Sequence, residues 1–236
     1  MIQENFTCSI IVNGNPDRAM QGIKNVAGWW ATNVEGIAGK VNDVFTVRFG
    51  KTFSKMEVIE ELPAKKMTWL VLDSQVPLFK NISQWIGTSL CWELEENKGG
   101  TKIRFTHKGL TPDTECYADC RTGWTFFITD SLFKLLTLGK GLPGTGIFGH
   151  ILMDGRKYEG LIFYKNDPQP EIPEGSIFID IKETVGEKVI AAHEVSRFSK
   201  SLIDTKKIKG EYYMFVENKP VDDRIDPFLD IQQSIG

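Results

Sequence analysis

Apolar and polar positions alternate with period two over much of the first hundred residues, then switch to helical spacing. Residues 6–12 place Phe6, Cys8, Ile10 and Val12 on one side, the pattern of a half-buried strand. Asn13-Gly14-Asn15-Pro16 is a turn that opens a short helix over 16–23, with Asp17 in its first turn. A second short helical stretch, near 25–32, carries Trp29-Trp30. Residues 41–49 return to alternation, with Phe45, Val47 and Phe49 opposite Thr46 and Arg48. Gly50-Lys51 marks a turn, 52–61 the next strand, and Leu62-Pro63 its end. Residues 66–73 present Met67, Trp69 and Val71 on one face. Residues 84–95 read as a long strand bearing Trp85, Leu90, Trp92 and Leu94. Asn97-Lys98-Gly99-Gly100 signals a tight hairpin into a strand over 102–108.

Strands joined by such short turns predict an antiparallel meander with one buried face. A single helix over 116–138 is predicted to cover it. At 1.5 Å per residue, about 23 residues span roughly 34 Å. Trp124, Phe127, Ile128, Leu132, Leu135 and Leu136 form one apolar stripe on this helix. Gly123 interrupts it at a cost of about 1 kcal/mol relative to Ala, which close approach of helix to sheet would offset.

The helix ends in Gly139-Lys140-Gly141-Leu142-Pro143-Gly144-Thr145-Gly146, the best candidate linker in the chain. Two units are expected: a helix-plus-sheet domain over 1–141 and a C-terminal α+β domain over 147–236. In the second, 158–164, 176–181 and 211–216 read as strands. Residues 188–201 fit a strand followed by a helix without deciding it. The end, from Pro220, is acidic and reads as a tail.

The chain has 236 residues, 41% hydrophobic and 25% charged, with a net charge of -3. That is a globular composition without the cationic excess that phosphate neutralisation needs, so no nucleic-acid partner is expected. The densest basic cluster, Lys206, Lys207 and Lys209, reads as a solvated surface. No apolar run is long enough to span a bilayer, and the N-terminus has no signal-peptide pattern, so a cytoplasmic protein is expected. Cys8, Cys91, Cys116 and Cys120 read as inert thiols. Cys116 and Cys120 stand one helical turn apart, an arrangement that could support a metal site or a redox pair, but no His lies at ligand spacing and the inert reading is preferred.

Several of these residues carry a family likeness. They are Phe45 with the hairpin after it, Glu61-Leu62-Pro63, Cys91-Trp92-Glu93-Leu94, Thr106-His107-Lys108-Gly109-Leu110, and Gly123-Trp124 with Ser131-Leu132. Together with the element order, they make residues 1–141 resemble the START-like or SRPBCC superfamily, the helix-grip fold shared with the birch-pollen allergen. Within it, the chain is most similar to small proteins related to the activator of the 90-kDa heat-shock protein ATPase. The resemblance implies an α+β helix-grip fold with a cavity between sheet and helix for a lipid, sterol, polyketide or other apolar molecule. Some members of the superfamily are cyclases or other enzymes, and some act on the chaperone ATPase; membership alone carries neither role here.

The expected ligand cavity is lined by Phe45, Phe49, Trp69, Trp92, Phe105, His107, Trp124, Phe127 and Ile128. Trp29, Trp30, Trp69, Trp85, Trp92 and Trp124 could each line a pocket, but most of them are better explained as plain core. His107 shares the inward face with Ile103 and Phe105, near its strand end. It either caps that end or serves a ligand as hydrogen-bonding or acid–base group. His150 reads as a surface or interface residue. His193-Glu194 lacks a second His four residues on and is no zinc motif. The carboxylate pairs Glu60-Glu61, Glu95-Glu96 and Asp222-Asp223 are sequence neighbours on presumed strands or tail and do not converge. No nucleophile elbow, zinc motif, phosphate-binding glycine loop or CxxC pair is present. The reading is therefore a binding protein for a small apolar molecule, with no catalytic residue, metal or cofactor expected. A protein partner of the chaperone-activator kind and a cavity enzyme using His107 are the alternatives.

Overall fold

A computed structural model describes residues 4–77, 79–144, 146–153, 156–165, 175–185, 188–197, 209–210 and 212–216. Seven strands form one antiparallel sheet: β1 (Phe6–Asn13), β2 (Asn33–Gly36), β3 (Val44–Phe49), β4 (Thr52–Leu62), β5 (Lys66–Gln75), β6 (Ser89–Asn97) and β7 (Gly100–Lys108). Their spatial order is β1-β7-β6-β5-β4-β3-β2. The first strand thus closes beside the last, Phe6 opposite His107, and the meander fills the rest. The β6–β7 hairpin turns at Lys98 (φ 21°) and Gly99 (φ 88°), the left-handed pair that a tight hairpin needs.

Between β1 and β2 lies α1 (Pro16–Lys24), started by Asn15, whose side chain accepts the Arg18 N–H at 2.9 Å. The second helical stretch expected near 25–32 shrinks to one 3₁₀ turn, Val26–Gly28. The two tryptophans after it stack at 5.8 Å and are buried instead of continuing a helix. Strand β3 begins at Val44 rather than at residue 41. The Asp43 carboxylate accepts the N–H groups of Gly39 and Lys40, and Asn42 sits at φ 72°, so this stretch is a turn. The short edge strand β2 had no clear alternation to announce it.

The expected strand over 84–95 is also corrected. Its first part is a chain of turns: Ile86 N–H reaches Ser83 O, Thr88 N–H reaches Trp85 O, and Gly87 adopts φ 80°. Only from Ser89 does the ladder with β5 and β7 begin. Trp85 is therefore a loop residue. In β4 a bulge lies between Val58 and Glu60. Glu60 bonds Lys66 Nζ at 3.0 Å and Thr68 Oγ1 at 3.0 Å, and these hold its carboxyl below the usual range.

The sheet's inner face is covered by α2 (Tyr117–Phe126), a π-helical turn over Phe127–Leu132, and α3 (Phe133–Leu138). The buried positions Trp124, Ile128, Leu132 and Leu136 recur at steps of four. An undistorted helix would rotate these by about 40° per step. The wider π turn takes up that drift and turns Ser131 fully inward with its neighbour. The result is a curved antiparallel sheet gripping one long helical segment, the α+β helix-grip arrangement. Among the described residues, no helix is long and apolar enough to cross a membrane.

The segment read as a linker is bound to this body. Gly139 (φ 78°) ends α3. Leu142 N–H then reaches Ser131 Oγ at 2.7 Å, and Gly144 pairs with Ala31 through a parallel bridge. Gly141 has no room for a Cβ, which would meet the carbonyl oxygens of Gly28 and Ser131. After it come β8 (Ile147–Met153), β9 (Arg156–Tyr164), β10 (Ile177–Val185), β11 (Lys188–Arg197) and β12 (Tyr212–Val216), a second antiparallel sheet in the order β11-β10-β12-β9-β8. Its edge strands β8 and β11 approach one another, so the sheet curls toward closure, and α2 runs against β8.

One face of this sheet, with Ile162, Ile177, Ile179, Ile181 and Met214, joins the core of the first. On the other, Phe163 stacks on Tyr213 and Phe215 at 5.3 Å each. Asp180 holds the backbone N–H groups of Lys209 and Gly210. The strand considered for the first part of 188–201 is present as β11. Residues 198–201, the Lys206-Lys207 pair and the acidic tail lie outside the described residues.

Ser131 is the joint between helix, Trp29 segment and linker: its Oγ donates to Trp29 O at 2.6 Å and accepts from Leu142 N–H. Ser131→Ala leaves both groups without this partner in a buried site and is expected to lower stability by about 2–3 kcal/mol. Urea unfolding measures this; a loss below half a kcal/mol would show that water replaces the hydroxyl.

Candidate functional site

The inner face of the sheet and the helix do not enclose an empty cradle. Phe45, Trp69, Trp92, Phe105, His107 and Ile128 are each 0–1% exposed and fill that space themselves. Trp92 meets Phe105 at 4.6 Å, Trp69 at 5.6 Å and Trp29 at 5.5 Å, and Phe45 meets Trp69 edge-on at 5.0 Å. This is a packed aromatic core.

The open space lies at one rim of it. A cavity of about 70 Å³ sits where α2 passes the β3–β4 hairpin and the loop from Val76 to Trp85. Of the nine residues expected to line a cavity, Phe49, Trp124 and Phe127 do so. Trp30 and Trp85, two of the six tryptophans considered for a pocket, also line it; the rest of the wall, without such a signal in the sequence, is Val47 and Thr52 to Ser54 on the hairpin, Val76 and Phe79, Asp119, Cys120 and Gly123 on the helix, and Gly146. Its polar members are few, Asp119 on the helix and Thr52 and Ser54 on the hairpin, and the surface is overwhelmingly apolar. Gly123 is buried and lines this space.

The tryptophan walls are held from behind by His107. Trp124 Nε1 donates to His107 Nδ1 at 3.0 Å. An indole nitrogen only donates, so Nδ1 must be unprotonated. Thr88 Oγ1 lies 2.9 Å from His107 Nε2 and donates its own proton to Trp85 O at 2.6 Å. Thr88 therefore accepts from Nε2–H. The ring is neutral and both its nitrogens are occupied. Trp85 meets the imidazole edge-on at 4.8 Å and stacks on Trp124 at 5.7 Å. The ring fixes both indoles, one through a bond and one through the Thr88 turn. It is not among the cavity-lining residues, and the acid–base role considered for it finds no free nitrogen.

At the helix start, Cys116 and Cys120 are joined in a disulfide, with Cα atoms 5.6 Å apart. This corrects the expectation of four inert thiols. One turn of helix brings the two side chains to the same face; Cys116 is fully buried and Cys120 half-buried. Glu115 accepts the N–H groups of Lys80 and Asn81, which docks the loop against this turn. Among the described residues, no group of His, Cys, Asp or Glu is arranged to hold a metal ion.

No protein-family model and no curated protein matches the sequence. Solved structures do. The Aha1 dimer from Colwellia psychrerythraea is similar at 27% identity, over 58% of this chain and 99% of that one, with a TM-score of 0.49. Protein MLL2253 from Mesorhizobium loti is similar at 15% identity, over 56% and 96%, with a TM-score of 0.44. DynU16, of the dynemicin biosynthetic locus, is similar at 16% identity, over 70% and 66%, with a TM-score of 0.46.

Burial pushes the His107 pKa down to about 3 from 6.5. The unfolded chain takes up a proton near pH 6.5 that the folded chain refuses. The stability that neutral His107 lends is therefore complete above pH 6.5 and is lost as pH falls from 6.5 toward 3. The expected slope is about 1.4 kcal/mol per pH unit within that window. The imidazole C–H resonances of His107 should stay in the neutral position at pH 4.5. Titration near pH 6 would contradict the closed network.

Proposed function

We propose that this protein binds a small, neutral, mostly apolar molecule in the rim cavity, with residues 1–141 supplying nearly all of the wall. The observation that supports this reading most is the cavity wall: stacked, hydrogen-bond-fixed indoles on one side, phenyl rings on the other, and scarcely any polar surface. The helix-grip architecture supports it as well.

The size of the space narrows the ligand. An engineered cavity of about 150 Å³ is filled by benzene, and this one is about 70 Å³. A ring edge or the end of a short alkyl chain fits as the cavity stands. The remainder of a larger ligand would lie in the mouth, between the hairpin and the Trp85 loop. A whole sterol needs the loop to move. Charged groups are disfavoured, because transferring an ion into such a wall without a partner costs several kcal/mol or more. The cavity-enzyme alternative has less support, since His107 is fully engaged by Trp124 and Thr88.

Titration with ethylbenzene and acetophenone, followed by calorimetry, tests this directly. Both are expected to bind, and the benzoate anion at least about tenfold more weakly. Gly123→Leu should fill the space and reduce binding of both about tenfold or more, while near-ultraviolet circular dichroism stays native. Binding undiminished in a folded Gly123→Leu protein, or no binding of either compound to the wild type, would overturn the proposal.

A further inference from the structure

The first turn of α2 holds chemistry that ligand binding does not use. The two sulfurs of the Cys116–Cys120 disulfide have unlike surroundings. Cys116 is fully buried, and its Sγ receives the Trp85 indole N–H at 3.3 Å. It also occupies the N-cap position of the ten-residue helix α2. Cys120 is half-buried and forms part of the cavity wall. One sulfur is thus approachable, and the other is placed to carry negative charge. We propose that this pair is a reversible thiol–disulfide site, reduced by a dithiol that enters at the cavity mouth.

The step balances as follows. A thiolate of the dithiol attacks Cys120 Sγ and forms a mixed disulfide. The Cys116–Cys120 bond breaks, and its electron pair leaves on Cys116 Sγ. That thiolate appears where an indole N–H and the helix N-terminus both favour an anion. The second thiol of the dithiol loses its proton and attacks its own partner sulfur, expelling the Cys120 thiolate. The dithiol is oxidised by two electrons to a cyclic disulfide. The two protons it gives up end on Cys116 and Cys120. Attack at the accessible sulfur with the stabilised one leaving is the favourable direction of thiol exchange.

The other two cysteines do not compete. Burial pushes the Cys8 thiol up to about 12, so it holds almost no thiolate at neutral pH. Cys91 is 2% exposed.

The test is peptide mapping of the full chain after alkylation with iodoacetamide. In protein pre-treated with oxidised dithiothreitol, Cys116 and Cys120 should stay unlabelled even on denaturation. After brief reduction of the native protein with dithiothreitol, Cys120 should label about tenfold or more faster than Cys116, Cys8 and Cys91. Trp85→Phe keeps a ring in place and removes the N–H; it should slow native-state reduction about tenfold. The proposal is overturned if the two cysteines remain alkylatable after oxidation, or if the bond yields only when the protein is unfolded in guanidinium. An unchanged rate in Trp85→Phe overturns the part assigned to Cys116 as leaving group. None of these readouts depends on whether the cavity binds a ligand.

Discussion

The bond from the Trp124 indole to His107 ties the long helix to the strand beside which the chain closes. It joins the last turn of α2 to β7, which lies between the first strand and the rest of the meander. Formation of this bond in a dry interior has two consequences. The imidazole must stay neutral, because a proton on Nδ1 would face another donor. The Trp124 ring must also take one orientation, and Trp30, Trp85 and Phe105 pack around it at 4.7 to 5.7 Å. A buried network of this kind specifies a unique arrangement because each member is satisfied only by the others.

Fixing the indoles in this way separates core from cavity. Behind Trp124, toward β6 and β5, buried aromatic and aliphatic side chains pack together. In front of it, Gly123 contributes no side chain and the helix passes an unfilled space. The π turn that follows lets helix and sheet stay in contact through Leu136 without the stripe drifting away. Ser131, turned inward by the same distortion, secures the segment that leads to the second sheet. One local widening of the helix therefore serves both the grip on the first sheet and the docking of the chain beyond it.

Much of this architecture was legible in the sequence. Alternation located β1, β4, β5 and β7, and Lys98-Gly99 fixed the hairpin. Helical spacing around Trp124 identified the covering helix. What misled was local turn chemistry hidden inside apolar patterns. Trp85 falls in phase with Trp92 and Leu94 only if the parity is allowed to slip, and Gly87 between them was the sign of a break. With Trp85 expected on a strand, the pattern offers no loop to wall the cavity. The expected lining then defaulted to inward strand positions, which are the positions that packing fills first. Phe49, Trp124 and Phe127 line the rim space because they lie where the filled core ends. The glycine-rich stretch after the helix misled for a related reason. Composition suggests freedom, yet Gly141 is small because two carbonyl oxygens crowd it, not because the chain must flex there.

The same crowding explains why the chemistry collects at one rim. A loop must bring its polar backbone to the edge of the sheet, and the helix must present its unpaired N–H groups there as well. Glu115, Gln84, Thr88 and Cys116 answer those needs, through bonds to Lys80 and Asn81, to Cys116 N–H, and to Trp85. The apolar wall and the sulfur pair are consequently neighbours by construction. Whatever shifts the first turn of α2 also shifts Cys120 and, through the Trp85 contact to Cys116, one of the stacked indoles. Cys120 and Trp85 thus belong both to the cavity wall and to the surroundings of the sulfur pair.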